Sequence, residues 1–303
     1  MVRAFLDTLA VLVLKMTATL AIVAAVAGQV FAQAPVSTLD RIKETGSLKV
    51  GYGSAPPFSF LDEDGQVAGY AIDLCKALAE EIRNALAMTE IRIDYVLRTP
   101  ANRVQLLNSG DIDIECNAST NTAERRKAAA FAPPHFIAQT RFVSLRQNNI
   151  RTIEDLRGKT VSVVLGTVNV GQILHLSREM RLGLASIPVA DVQSAFDLVK
   201  VGSVSAFAMD DILLTTMIAS TGKAEDYLIS NETLGEPAPY GFMTRLDDAP
   251  FTALVAESLE RIYKSPQMKS IYDKWFMQPI RGGRYTLNVP MSAQLKSAMG
   301  IAD

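Results

Sequence analysis

An α/β architecture made of two doubly wound lobes is predicted from three features of the chain. Short apolar strands alternate with amphipathic helical segments in the order β-loop-α-β-α-β over the first half, the pattern of a sheet covered by helices. A second series of the same kind begins near Arg141. Polar clusters fall directly after the apolar runs, where open parallel sheets hold their ligands.

Residues 1–32 read as a signal peptide. Arg3 and Lys15 precede the charge-free run Ala18 to Gly28, and Val30-Phe31-Ala32 offers small or apolar residues at −3 and −1 of a cleavage site after Ala32. The run is shorter than a comfortable membrane span, and no cysteine follows it for lipid attachment, so residues 33–303 are expected to be exported and soluble. Ser37 to Thr45 reads as a helix stopped by Gly46, and Ser47 to Tyr52 as a strand that breaks into the loop Gly53 to Phe58. A polar turn, Asp62 to Gly65, precedes Gly69-Tyr70. From Ile72, the residues Leu74, Leu78, Ala79 and Ile82 recur at helical spacing. Ile91 to Val96 alternates as a strand, Asn102 to Leu107 is helical up to Gly110, and Asp111 to Cys116 alternates again.

In the second series, Arg141 to Leu145 is extended, Thr152 to Lys159 holds a helical turn, and Thr160 to Leu165 is a strand from which Gly166-Thr167-Val168-Asn169 opens a helix. Ala195 to Val201 is helical, and Ser205 to Met209 is a strand. Pro237 and Pro239 interrupt the chain before a last extended run, Tyr240 to Met243.

Hydrophobic residues make up 49% and charged residues 20% of the chain, with a formal net charge of −2 and no long run of one sign. That balance argues against nucleic acid as a partner. The two cysteines, Cys75 and Cys116, are open to two readings in an oxidising compartment: a disulfide, or two separate buried thiols.

The segment Ser119 to Lys127 carries the strongest chemical signal. Hydroxyls at a strand end, followed by a helix start with Arg125 in its first turn, compose an anion site, and a guanidinium fork suits a carboxylate. Asp210, in Met209-Asp210-Asp211 after another strand, supplies a partner for an ammonium group. Together these are the requirements for a free amino acid. Thr120 and Thr167 follow strands in the same way, and Phe58, after the first strand, is expected to form an apolar wall. The loop at Gly51-Tyr52-Gly53 lacks the third glycine of a dinucleotide fingerprint, and Pro56-Pro57 precludes the helix that fingerprint needs. His135 and His175 share no metal-ligand spacing with a cysteine, so no catalytic residue, metal or cofactor is assigned.

The order of these pieces resembles the periplasmic amino-acid-binding proteins of ABC importers, solute-binding family 3, and within them the glutamate/aspartate-binding branch. The resemblance rests on Ser37-Thr38-Leu39-Asp40-Arg41-Ile42, Pro57-Phe58-Ser59-Phe60, Gly69-Tyr70 and Asn102 to Leu107. It continues through Ile114-Glu115-Cys116, Ser119-Thr120-Asn121, Glu124-Arg125, Ser205 to Leu214 and Tyr272-Asp273-Lys274-Trp275-Phe276. It implies a type II periplasmic binding protein: two lobes joined by two hinge crossings, with residues 37–139 and 238–303 in one lobe and 140–237 inserted as the other. By that likeness Arg125 meets the ligand's α-carboxylate and Asp210 its α-ammonium. Thr120 and the Ala118 backbone add hydrogen bonds, Thr167 presents a helix start, and Arg103 faces a side-chain carboxylate. The implied partners are a free amino acid and a membrane permease, the protein itself being a periplasmic monomer.

Four positions depart from that branch. Gly53 stands where an arginine is expected, Val192 where a histidine is, and Pro100 and Ala118 where serines are. The grip on a side-chain carboxylate is thereby reduced to Arg103, with Gln193 offered as a replacement donor, and a neutral amino acid becomes a competing ligand. Two further readings are a dehydratase on the same fold, with Glu115 as its acid, and an adaptor for a membrane sensor.

Overall fold

The computed structural model describes residues 37–280 and 285–301; the signal peptide read over 1–32 lies outside them. After a first helix, α1 (Thr38–Thr45), ended by a left-handed Gly46, strand β1 (Ser47–Tyr52) enters the centre of a sheet. Leu48 and Val50 are buried on one face and Ser47 and Gly51 on the other, as parallel strands covered by helices require. A short hairpin, β2 (Phe60–Leu61) and β3 (Val67–Ala68), leads to α2 (Tyr70–Ala85), which begins two residues ahead of the run from Ile72. Its buried face includes Tyr70, Leu74, Cys75, Leu78 and Ile82.

Strand β4 (Arg92–Leu97) lies parallel to β1 on one side and β5 (Ile114–Glu115) parallel on the other, so that Val50 is opposite both Tyr95 and Ile114. Between them runs α3 (Arg103–Ser109), closed by a left-handed Gly110. Of the alternating run Asp111 to Cys116, only Ile114 and Glu115 pair as a strand. After β6 (Ala130–Phe131), the chain leaves this sheet through β7 (Phe136–Ala138).

The second sheet repeats the plan. It contains β8 (Thr140–Leu145), β9 (Thr160–Val164), β10 (Ala185–Val189), β11 (Ala206–Asp210) and β12 (Tyr227–Ile229), with α4 (Val168–Glu179), α5 (Val192–Lys200) and α6 (Asp211–Ser220) between the strands. Strand order is β10-β9-β11-β8-β12, with β9, β10 and β11 parallel and β8 antiparallel to β11.

The chain returns through β13 (Ala238–Tyr240), which pairs antiparallel with β7 as a two-stranded ribbon. The extended run Tyr240 to Met243 is thus divided. Tyr240 ends the ribbon, and β14 (Met243–Thr244) completes the first sheet in the order β4-β1-β5-β14-β6. In each sheet three parallel strands are followed by an antiparallel one supplied where the chain crosses over. Helices α7 (Ala249–Tyr263) and α8 (Pro266–Phe276) pack on α2, and α9 (Ala293–Met299) ends the described chain.

Phe58 lies in this core. Its ring meets Tyr70, Phe136, Tyr240 and Phe276 at centroid distances of 5.9, 5.1, 5.3 and 5.9 Å, joining both ribbon strands to the helices of the first sheet. The contacts with Tyr70, Phe136 and Tyr240 are edge-to-face, a geometry that favours a single arrangement of the rings.

Of the two readings open for the cysteines, the structure has the disulfide. It ties Cys75 on α2 to Cys116, directly after β5, with Cα atoms 6.4 Å apart. It closes a span of 41 residues, for which the chain-entropy relation gives about 4 kcal/mol. Replacing both cysteines by serine is expected to lower the unfolding free energy of the first lobe by about that amount. Denaturant unfolding followed by the fluorescence of Trp275, the one tryptophan of the chain, measures it; a loss below about 1 kcal/mol would contradict the relation.

Candidate ligand-binding site

The carboxyl ends of all six parallel strands open on one cavity of about 180 Å³, smaller than the roughly 300–1,000 Å³ that drug-sized ligands occupy. Ser54 and Ala55 follow β1, Arg98 to Pro100 follow β4, and Asn117, Ala118 and Thr120 follow β5. From the second sheet come Thr167 to Asn169 after β9, Ala190 to Val192 after β10, and Asp210 with Leu213 at the end of β11. Arg103 and Arg125 complete the lining.

Asp210 is the best-supported charge. Its Oδ1 accepts from the Thr140 hydroxyl at 3.0 Å and from Asn169 Nδ2 at 2.7 Å, and its Oδ2 from the Tyr240 hydroxyl. Burial, reinforced by the negative charge of Asp210, raises the Tyr240 pKa well above its ordinary value, so the phenol remains a donor. One carboxylate therefore ties β11, β8, the first turn of α4 and the ribbon strand β13 together.

Opposite the second sheet's loops stand guanidinium groups. Arg125 donates from Nη1 to the Thr120 carbonyl oxygen at 2.8 Å and from Nη2 to the Gly166 carbonyl oxygen at 3.0 Å, and Arg103 donates from Nη2 to the same Gly166 oxygen at 3.1 Å. Burial lowers both pKa values. For Arg103 it does so to about 9, helped by the charge of Arg125, which leaves the group a cation at neutral pH. Gly166 is thus a point of convergence. Its φ is +80°, and a Cβ there would come within 2.5 Å of the Pro100 carbonyl oxygen on the facing loop.

The structure brings together six of the seven residues read from the sequence: Arg125, Asp210, Thr120, Arg103, Thr167 and Ala118 all line the cavity. Phe58 does not; it is completely buried in the aromatic core beneath Tyr240, because the loop after β1 turns Ser54 and Ala55 to the cleft instead. The helix expected at Arg125 is a single 3₁₀ turn, Arg125–Lys127, too short to carry a helix dipole. Thr122 Oγ1, rather than Ser119 or Thr120, accepts from its first N–H. Thr167 precedes α4, but its hydroxyl donates to the Val164 carbonyl oxygen at 2.8 Å instead of capping the helix.

Gln193, read as a replacement donor, is exposed and bonded to Asp197, while its neighbour Val192 faces the cavity. Glu115 is fully buried, ion-paired with Arg98 and accepting from the Ser119 hydroxyl at 3.0 Å, and lies behind the cavity wall. Arg98, Asn117, Asn169, Thr140 and Tyr240 escaped the sequence reading. The signal that locates Arg98 and Asn117 is the one used for Thr120, a polar residue directly after a parallel strand.

The chain belongs to the bacterial extracellular solute-binding proteins, family 3, whose model matches residues 48–278. It is 34% identical over 287 residues to an L-glutamate/L-aspartate-binding protein of Pseudomonas aeruginosa, covering 93% of this chain and 94% of that one. It is 32% identical over 267 residues to the glutamate/aspartate import solute-binding protein of Escherichia coli K12, covering 88% of each. Among solved structures, an ancestral arginine-binding protein bound to arginine superposes with a TM-score of 0.69 at 29% identity, over 76% of this chain and 98% of that one.

Two expectations follow from the geometry. In Gly166→Ala, the left-handed backbone and the contact with Pro100 resist approach of the two loops, so affinity should fall about tenfold or more for every ligand alike. Calorimetry with two different ligands checks this; a loss confined to one of them would contradict it. His135 is buried with Nε2 donating to the Asn117 carbonyl oxygen at 3.0 Å, and burial lowers its pKa from 6.5 to about 3. The unfolded chain therefore takes up this proton near pH 6.5 while the folded chain stays neutral down to about pH 3, so stability is lost as pH falls below 6.5. From pH 7 to 5 the loss should be about 2 kcal/mol. The wild type should show that much more acid sensitivity than His135→Gln in denaturant titrations at the two pH values, and equal slopes would refute the assignment.

Proposed function

We propose that this protein is the periplasmic binding component of an ABC importer, and that it captures an acidic amino acid, glutamate or aspartate, for a membrane permease. The observation that carries the reading is the cavity's charge layout. Arg98, Arg103 and Arg125 line it against Asp210 and Asp191, and both oxygens of Asp191 are taken by Ser194 at the start of α5. Asp210 holds the α-ammonium, Arg125 the α-carboxylate, and Arg103 the carboxylate of the side chain. Thr120 and the Ala118 backbone flank the ligand from the first lobe, and Thr167 and Asn169 from the second.

Residues 37–139 and 238–303 form one lobe and 140–237 the other, turning about the ribbon of β7 and β13. The ligand bridges groups from both sides and so favours the closed arrangement that the permease recognises. The protein works as a monomer and performs no chemistry on its ligand. Glu115, the acid a dehydratase would require, is tied to Arg98 and Ser119 behind the wall. The relatives named for glutamate and aspartate, matched along nearly their whole length, support the ligand class.

Calorimetric titration of ligand-stripped residues 33–303 with the twenty amino acids tests this reading. Glutamate and aspartate should bind most tightly. Arg125→Met and Asp210→Asn should each weaken that binding about 30-fold or more, the effect of removing one partner of a buried charge pair. Tighter binding of a neutral or basic amino acid would overturn the ligand class, and unchanged binding by both variants would overturn the site.

A further inference from the structure

We propose that Arg98 is a specificity-determining residue of the cleft: its guanidinium, seated in the space that Gly53 leaves open, joins Arg103 in reading the distal carboxylate of an acidic amino acid. This rests on the acidic-ligand reading above and deepens it.

The backbone places the two positions side by side. The Arg98 N–H donates to the Tyr52 carbonyl oxygen at 2.8 Å, continuing the β1–β4 pairing one residue past β4, so Arg98 lies across from Gly53 as the strands end. A Cβ on Gly53 would come within 3.1 Å of both Cζ and Nη1 of Arg98 and within 2.5 Å of Asn117 Nδ2. A side chain at 53 and a guanidinium from 98 therefore compete for one space, and glycine concedes it to Arg98.

Once there, the group is fixed. Its side chain is 4% exposed, and Nη2 is ion-paired with the wholly buried Glu115, itself held by Ser119. A buried ion pair is a poor means of stabilising a fold, since apolar residues of similar volume do as well or better. Its position in the cavity wall gives it another use. The donors around it are in excess. Arg98 Nε, Arg103 Nε and Asn117 Nδ2 are buried and have no hydrogen-bond partner, against one such acceptor, Glu115 Oε2, and the three donor residues line the cavity while Glu115 does not. Buried donors without acceptors are costly, and a carboxylate offers acceptors only. A carboxamide would turn an NH₂ group toward donors, so the same wall that accepts glutamate disfavours glutamine. The charge missing at position 53 has thus been replaced from the neighbouring strand.

The test is the ratio of glutamate to glutamine affinity, measured by calorimetry on the ligand-stripped protein. In Arg98→Met/Glu115→Gln, which leaves no unpaired charge behind, the ratio should fall about 30-fold or more through the loss of glutamate binding. Glutamine affinity should change by less than about 3-fold, since no charge pair to it is removed. Gly53→Val, which keeps every charge and displaces the guanidinium together with the Asn117 amide, should lower the ratio likewise; set beside Asn117→Ala, which removes the amide alone, it decides the matter if the double variant fails to fold. Gly53→Arg/Arg98→Leu, which returns a guanidinium to the same space from the other strand, should restore the preference. A wild-type protein that prefers glutamate, with a ratio unchanged in the folded variants, makes Arg98 only a partner for Glu115 and overturns the proposal while the acidic-ligand reading stands. A wild-type protein that does not prefer glutamate overturns that reading, and the proposal with it.

Discussion

Charge withdrawn from water must be given a partner, and this requirement organises the cleft and much of what surrounds it. Asp210 is held by donors from β8, α4 and β13, so the carboxylate proposed for a ligand's ammonium group is also a junction of the second sheet with the ribbon. The phenol of Tyr240 makes the connection. Its oxygen serves Asp210, and its ring lies 5.3 Å from Phe58 and 6.0 Å from Phe136 in the core of the first lobe. On the opposite wall, Arg103 and Arg125 reach across to one carbonyl, that of Gly166. Each lobe thus holds part of what the other's charges need, and neither is electrostatically complete alone.

The segment that brings Asn117, Ala118 and Thr120 to the cavity is short and pinned from behind. Cys116 is bonded to α2, the Asn117 carbonyl takes the His135 proton, and the Ser119 hydroxyl binds Glu115. The Ser119 carbonyl accepts from Gly241 N–H, and Asn121 N–H donates to Pro239. A binding loop fixed in this way loses little freedom when it takes a ligand. The buried His135 is part of that support.

The architecture was legible because alternation and helical spacing are local properties. Five of the six parallel strands announced themselves, whereas β10, an edge strand interrupted by Pro188 and with no buried residue, did not; the polar residues just beyond the strand ends led directly to Thr120, Thr167 and Asp210. What escaped depends on packing between distant pieces. Phe58 follows a strand as Thr120 does, yet the turn of its loop sends it inward. Val192 and Gln193 are adjacent on α5, and the helix phase set by the Asp191 cap turns the first into the cleft and the second out to Asp197. Arg98 and Gly53 lie 45 residues apart in a chain that shows no contact between them until the sheet forms, so the empty position was visible and its occupant was not.

The glycine at 53 carries a consequence for how this chain could have been reached by single substitutions. A side chain at 53 would press on the Arg98 guanidinium, 3.1 Å from its Cβ, and on Asn117 Nδ2 at 2.5 Å; with both positions small, Glu115 is left buried without its cation. If Arg98 reads the ligand as proposed, the effect of a substitution at one of the two sites depends on the residue at the other. On that reading positions 53 and 98 act as one unit, and a comparison that scores 53 alone would count as absent a charge that the neighbouring strand supplies.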